Sequence, residues 1–397
     1  MKTANQHNFT IVNAQVVTPT GIIHDGAVHV LDGTIRYVGA TSSLAQAGIE
    51  IGERIDVKGS YVLPGFIDIH VHGGMLEDFS KPSQQGLDAI TKLHSSQGTT
   101  SMLATTMTMP KEVIEHVLAE VHEYMNGEMP YAQLAGVHLE GPFISPEWPG
   151  AQNPAHIVPP NKEWVQQWEE RFPGLIKQVT FAPEREGAHE LIAYLRSKGI
   201  AAAAGHTDAT YDEMMSAVDV GLHHVVHMFN AMTPLHHRKP GTAGAVLSTP
   251  AISAEIIADG IHVHKAAIKL LASVKTNHNL VLITDAMSAA GLGNGEYMLG
   301  DLPVIVKDNV CTLKDSEGTL AGSTLTMIRG FRYLVKEVGL SIEQASEAAS
   351  GNPAKVIRIN HLTGSIETGK QADLLLVDQN LDLQQVWIKG HALEQSL

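Results

Sequence analysis

Apolar and polar positions fall into three regimes along the chain. Near the start, Phe9–Val17 alternates loosely, and Ala27–Val38 holds two apolar runs around Asp32-Gly33. An Asp-Gly pair tolerates the left-handed backbone of a tight hairpin turn, so this stretch predicts two antiparallel strands. The far end repeats the pattern, with strand-like runs at Asp373–Val377 and Gln385–Ile388. Between the ends, apolar runs of strand length occur at Val62–Val71, Ser101–Thr106, Leu134–Leu139, Val179–Pro183, Ala201–Gly205, His223–Met228, Ile252–Ala258 and Leu280–Thr284. Helix-like stretches separate most of them, among them Pro110–Met125, Ala188–Lys198, Tyr211–Val220 and Lys265–Val274. Such alternation predicts a parallel (β/α)8 (TIM) barrel; a doubly wound sheet fits the same alternation less economically. The β-rich ends are explained together by one small β-sandwich built from both termini, since chain ends often lie close. The expected organisation is therefore α/β. Residues 1–60 and 363–397 form the sandwich, and residues 61–362 form the barrel with a β-hairpin insertion near 296–322. Helices resume at Met327–Val338 and Ile342–Ala349, and Asn352-Pro353 is expected to end the last one.

Composition narrows the class. With 397 residues, 44% hydrophobic and 17% charged, the chain can bury a large core and is not globally disordered. Lys plus Arg is 27 against 42 Asp plus Glu, a net charge of −15. That balance argues against nucleic acid or an anionic membrane as partner, and an anionic substrate would need a local cationic pocket. Cys311 is the only cysteine, which excludes an internal disulfide and a cysteine-built zinc site. The first residues lack the apolar core of a signal peptide, and no run of about 18 apolar residues occurs, so a cytoplasmic protein is expected. Histidine is abundant, with 22 residues, and position must decide which of them carry chemistry.

Position does decide. Strand one ends in Asp68-Ile69-His70-Val71-His72, strand three in His138-Leu139-Glu140-Gly141-Pro142, and strand five in Gly205-His206-Thr207. Strand six ends in His227-Met228-Phe229-Asn230, strand seven in Asp259-Gly260-Ile261-His262, and strand eight in Thr284-Asp285-Ala286. In a barrel these six ends surround one mouth, where active sites of this fold are built. His70 and His72 are two apart on a strand and project to one side, a spacing that suits one metal. Each histidine alone is more often structural. One carboxylate, Glu140, with His206 and His227 on neighbouring strands makes a zinc-type set with an open position. Asp285 ends a buried apolar strand and is the candidate general base.

The run Pro64–His72, PGFIDIHVH, resembles the strand-one signature of the amidohydrolase superfamily. The motifs HLEGPF (138–143), GHTDAT (205–210), HMFNAM (227–232), ADGIHV (258–263), LITDAM (282–287) and GTLAGSTLTM (318–327) resemble, in the same order, those of N-acetylglucosamine-6-phosphate deacetylases. The tail Gly369–Leu374 is similar to the superfamily's return into its small β-domain. The resemblance implies a metal site of Glu140, His206 and His227, with Asp285 as acid/base. His70 and His72 match a position that holds a second metal in some members, with Glu140 as bridge. It implies Asn230 and the Ala231 backbone at the sugar phosphate, and Arg238 and His262 at the sugar or its phosphate. The arginine reaches across a dimer interface in some members, so a homodimer is expected. Gly141 and Gln152 complete the expected substrate-binding set. The implied cofactor is a divalent metal, Zn2+ first, one or two per subunit, with Fe, Ni, Co or Mn as alternatives. The implied partner is a small phosphorylated amino sugar.

One position departs from the pattern. Where the family often carries Gly-Ala-His or Gly-Thr-His, with a histidine that helps polarise the acetyl carbonyl, this chain has Gly150-Ala151-Gln152. Leu235–Arg238 and Gln385–Gly390 are also similar to the N-acetylgalactosamine-6-phosphate deacetylases, which keeps that epimer open. Among rivals, a cyclic-amide hydrolase or deaminase would often carry a strand-four lysine, but that end reads Phe181-Ala182-Pro183-Glu184. A non-enzymatic relative would be expected to have lost its ligands. No Gly-x-Ser-x-Gly is present. The HExxH starts at His122 and His189 fail at Asn126 and Ala193.

Overall fold

A computed structural model describes residues 8–275, 279–316 and 318–394. Residues 1–7 and 395–397 of the expected sandwich and residue 317 of the expected insertion lie outside the described residues. Eight parallel strands run in sequential order around one sheet. They are Phe66–Asp68, Thr99–Thr105, Gln133–Glu140, Ile176–Phe181, Ala201–Ala204, His224–Val225, Ser253–Ile257 and Leu280–Ile283. They are counted here as the first to eighth barrel strands, and helices fill the connections. The fold is a (β/α)8 barrel with a small β-sandwich from both termini.

The two edge strands meet through side chain and backbone. The Thr284 N–H and hydroxyl donate to the Asp68 carboxylate, and Asp285 N–H donates to His70 O at 2.9 Å. His72 N–H reaches Ala286 O at 2.8 Å. Local chemistry supports the surrounding helices. Ser83 and Asn161 cap Gln84–Ser96 and Lys162–Arg171, and Thr210 with Glu213 forms a capping box on Tyr211–Val220.

The terminal sheet joins Asn8–Thr18, Gly21–Leu31 and Thr34–Ala40 to Leu374–Val377 and Leu383–Ile388. Asp32 and Gly33 both take left-handed φ, 49° and 72°, as a tight turn of the primed type requires. Phe9 stacks on Trp387 with ring centroids 5.8 Å apart, inside a core with Ile11, Val28, Val30 and Leu374.

Three expectations are corrected. Val62–Val71 is two strands, not one: Tyr61–Pro64 pairs with Asn8–Thr18 and Leu374–Val377 in the terminal sheet, and the barrel begins at Phe66. The break is Gly65, whose N–H donates to Asp373 O at 2.9 Å; a Cβ there would lie 2.2 Å from Thr100 Oγ1. The insertion is a three-stranded antiparallel sheet, Gly295–Leu299, Leu302–Lys307 and Val310–Leu313, rather than a hairpin. Its Leu299, Val304, Val306 and Cys311 pack on Met107 and Met287 beside the barrel mouth. Finally, Asn352-Pro353 does not end the last helix. A π-helical stretch, Glu347–Gly351, precedes Asn352–Val356, so Pro353 falls in the first turn of a new segment, where its missing N–H is tolerated. The Asn352 side chain donates to Leu280 O at 2.8 Å and ties that turn to the eighth strand.

Candidate active site

At the C-terminal ends of the barrel strands the chain leaves regular geometry. His206, His227 and Asp285 take left-handed φ of 48°, 27° and 52°. Non-glycine residues are rare there, and such conformations persist where surrounding structure over-determines them. The turns aim these side chains, with His70, His72 and Glu140, at one point.

Glu140 Oε1 lies 3.2 Å from His206 Nε2 and 3.0 Å from His227 Nε2, and the two nitrogens are 3.2 Å apart. The same Oε1 faces His70 Nε2 at 3.3 Å, and Oε2 faces His72 Nε2 at 3.4 Å. Asp285 Oδ1 sits 3.2 Å from His72 Nε2 and 3.7 Å from His70 Nε2. Glu140 thus joins two groups of three donors, His70-His72-Glu140 and Glu140-His206-His227.

The donor chemistry calls for cations. The Trp148 carbonyl can only accept, so His206 Nδ1, 3.0 Å away, must carry the proton. Neutral His206 then points an Nε2 lone pair at a carboxylate oxygen. Likewise His70 Nδ1 donates to Glu255 Oε2 at 2.8 Å, and its buried Nε2 has no hydrogen-bond partner. Converging lone pairs repel unless a positive charge lies among them. A tetrahedral ion with bonds of about 2.0–2.1 Å separates its donors by about 3.3 Å, close to the spacings seen.

The electrostatics agree. Burial alone would lower the pKa values of His70 and His72, but the facing carboxylates win, raising His70 well above its ordinary value and His72 to about 9. Burial would raise Glu140 and Asp285; the neighbouring imidazoles instead hold Glu140 well below the carboxylate range and Asp285 below its ordinary value. Both carboxylates are therefore ionised, and protons on the imidazoles balance charge that a bound cation would otherwise balance.

A cleft of about 450 Å³ opens over this centre, lined by His72, Glu140, Trp148, Gln152, His206, His227, Asn230, Ala231, His262 and Asp285. The insertion contributes Leu299, Thr319 and Leu320 to its rim. His262 Nδ1 meets Asp259 Oδ2 at 2.6 Å; burial disfavours its charge, but that carboxylate outweighs it and raises the pKa.

Two expected substrate residues are not brought to the cleft. Arg238 is exposed, with Nη1 2.6 Å from His237 Nε2, and does not line the cleft of its own chain. It lies on the Pro234–Pro240 loop, which runs out over the surface. Gly141 is buried behind the cleft wall; its φ is 77°, and a Cβ there would meet Thr108 Oγ1 at 2.2 Å. Its role is backbone geometry next to Glu140.

Sequence reasoning missed Glu255. This fully buried carboxylate accepts from His70 Nδ1, His224 Nε2 (3.0 Å), Gln178 Nε2 (2.9 Å) and His227 N–H (3.3 Å). The signal was available: an acid in the middle of the apolar run Ile252–Ala258 cannot be buried without partners. Asp68 was equally legible inside PGFIDIHVH. Burial raises its pKa to about 7, against the hydrogen bonds from Thr284 and His70.

A barrel that gathers imidazole and carboxylate donors at several strand ends is the arrangement of a metal-centred hydrolase class, and known proteins agree. The amidohydrolase family matches residues 61–393. The N-acetylglucosamine-6-phosphate deacetylase of Bacillus subtilis (strain 168) is 39% identical over 376 residues, 94% of each chain. The N-acetylgalactosamine-6-phosphate deacetylase of Escherichia coli O157:H7 is 33% identical over 95% of this chain and 97% of that one. A solved mutant of the Mycobacterium smegmatis N-acetyl-D-glucosamine-6-phosphate deacetylase, in complex with N-acetyl-D-glucosamine-6-phosphate, superposes with a TM-score of 0.90. That structure is 31% identical and covers 97% of this chain and 99% of its own. The chain belongs to the amidohydrolase family and, within it, to the N-acetylglucosamine-6-phosphate deacetylases.

Proposed function

We propose that this chain hydrolyses the N-acetyl group of N-acetylglucosamine 6-phosphate, releasing acetate and glucosamine 6-phosphate. The observation that carries the reading is the meeting of Glu140, His206 and His227 with ionised Asp285 in one cleft. Glu140, His206 and His227 would hold a divalent cation, and His70 and His72 with Glu140 a second. Zn2+ suits imidazole and carboxylate donors, as do Fe, Ni, Co and Mn. When bound, such a cation supplies Lewis acidity, which acidifies water and polarises the acetyl carbonyl.

The remaining work falls to the chain. Asp285, ionised and 3.2 Å from His72, takes the proton of the attacking water and returns it to the amine nitrogen as the C–N bond breaks. Gln152 presents a neutral N–H on the cleft wall. His262, whose charged form Asp259 favours, and Asn230 with the Ala231 backbone would take the sugar hydroxyls and phosphate. Arg238 has a phosphate-binding role only if the loop of a second copy reaches this cleft, which supports a homodimer. A phosphate monoester is retained by membranes, which supports a cytoplasmic reaction.

Acetate release from N-acetylglucosamine 6-phosphate and N-acetylgalactosamine 6-phosphate, run beside elemental analysis, tests the proposal. Faster turnover of the gluco substrate is expected. Faster turnover of the galacto substrate would transfer the assignment to the epimer, and acetate from neither would overturn it.

A further inference from the structure

We propose that Gln152 is a positioning residue for Glu140: its amide fixes the carboxylate rotation on which sharing between two cation sites depends. The inference rests on the metal reading of the site above.

The orientation of this amide is settled by its surroundings. Thr108 N–H lies 2.6 Å from Gln152 Oε1, and a backbone N–H can only donate. The NH2 end therefore faces Glu140, with Nε2 2.7 Å from Oε2. Gln152 is 4% exposed, and its own N–H is tied to Pro149 O at 3.0 Å. A donor held this firmly occupies one lone-pair direction of Oε2 and leaves the other free.

The terminal torsion of a glutamate is broad, so an untethered carboxylate could turn both oxygens toward one pair of imidazoles. With Oε2 held, Oε1 faces His206, His227 and His70, at 3.2, 3.0 and 3.3 Å, while Oε2 looks toward His72, 3.4 Å away. One fixed rotation of the carboxylate thus presents it to both donor groups at once.

Two near-isosteric variants test this. Gln152→Met removes the donor and adds no charge; Gln152→Glu replaces the donor with an acceptor opposite Glu140. Metal-free proteins are titrated with Zn2+ against a chromophoric chelator, loaded proteins are analysed for zinc content, and melting of the metal-free forms reports folding. The native chain is expected to bind two equivalents. Both variants should bind the second roughly 10–100-fold more weakly, Gln152→Glu at least as badly as Gln152→Met. A space-filling role predicts that neither variant changes affinity, and that result would overturn the inference. A single equivalent in the native chain would overturn it and leave the hydrolytic reading standing. No zinc bound by the native chain would overturn both.

Discussion

Glu255→Gln isolates the buried support of the site. Glu255 accepts four hydrogen bonds, and all four partners are donors: His70 Nδ1 and His227 N–H on Oε2, Gln178 Nε2 and His224 Nε2 on Oε1. An amide in its place must point its NH2 at one of these pairs. The backbone N–H of His227 cannot become an acceptor, so the NH2 turns to the other side. There His224 can change tautomer against the Ser253 hydroxyl, 2.6 Å from its Nδ1, and Gln178 can flip. His70 keeps an acceptor for its Nδ1–H but loses the charge behind it. A hydrogen bond to a charged group contributes about 1.5–3 kcal/mol against about 0.5–1.5 for a neutral one, a difference of about 1–2 kcal/mol. If His70 passes that loss to its Nε2, cation affinity at the His70-His72-Glu140 group falls roughly 5–30-fold. Zinc titration of the metal-free protein measures this, with the His206-His227 group as internal reference. Unchanged affinity at both groups would refute the argument. So would an equal loss at both, since of the four imidazoles in the two donor groups only His70 depends on this carboxylate through its ring.

Other outcomes follow from the same geometry. Asp285→Asn should lower kcat by roughly 10²–10⁴-fold while zinc content stays native, read by acetate release and elemental analysis; native kcat would remove Asp285 from the reaction. Unphosphorylated N-acetylglucosamine should be turned over with a much higher KM, and His262→Ala should erase most of that preference; a KM indifferent to the phosphate would move the recognition site elsewhere. His94, fully buried with Nε2 3.0 Å from Gly73 O, has its pKa pushed down to about 4 by burial. Its contribution to stability is complete above pH 6.5 and is lost as pH falls toward 4, because the unfolded chain takes the proton first. Between pH 7 and 5 the loss is about 2 kcal/mol. Urea midpoints should fall less over that range in His94→Gln than in the native chain; parallel slopes would be contrary evidence.

The barrel was legible because its strands are mostly buried, largely apolar runs separated by helices of ordinary length. The site was legible because six strand ends carry histidine or a carboxylate where only apolar continuation was needed. What was hidden was tertiary. Gly65 divides Val62–Val71 because Thr100 leaves no room for a side chain, a fact that belongs to the neighbouring strand. Pro353 reads as a stop, yet the π-helical turn before it lets the helix restart. Arg238 sits in the densest basic run of the chain, but loop geometry turns it away from its own cleft. The roles of Trp148 and Thr108 are carried by a carbonyl and an N–H, which residue identity does not reveal.

Barrel closure and the placement of Asp285, the proposed base, are one event. The first and eighth strands join where Asp68 accepts from Thr284 and where Asp285 N–H bonds His70 O. The second of these bonds fixes the backbone of Asp285 against the backbone of His70, which brings Asp285 Oδ1 within 3.2 Å of His72. Ser323 N–H holds Asp285 O at 2.8 Å from the far side, so the residue is clamped in its left-handed conformation. Asp68 stands at the head of the strand-one motif and yet spends its carboxylate on the seam. Loosening that seam would separate Asp285 from His70 and His72 without altering any residue that lines the cleft. The left-handed backbone of Asp285 is held from both sides where the edges of the sheet meet, so the proposed base lies where the cylinder is sewn shut.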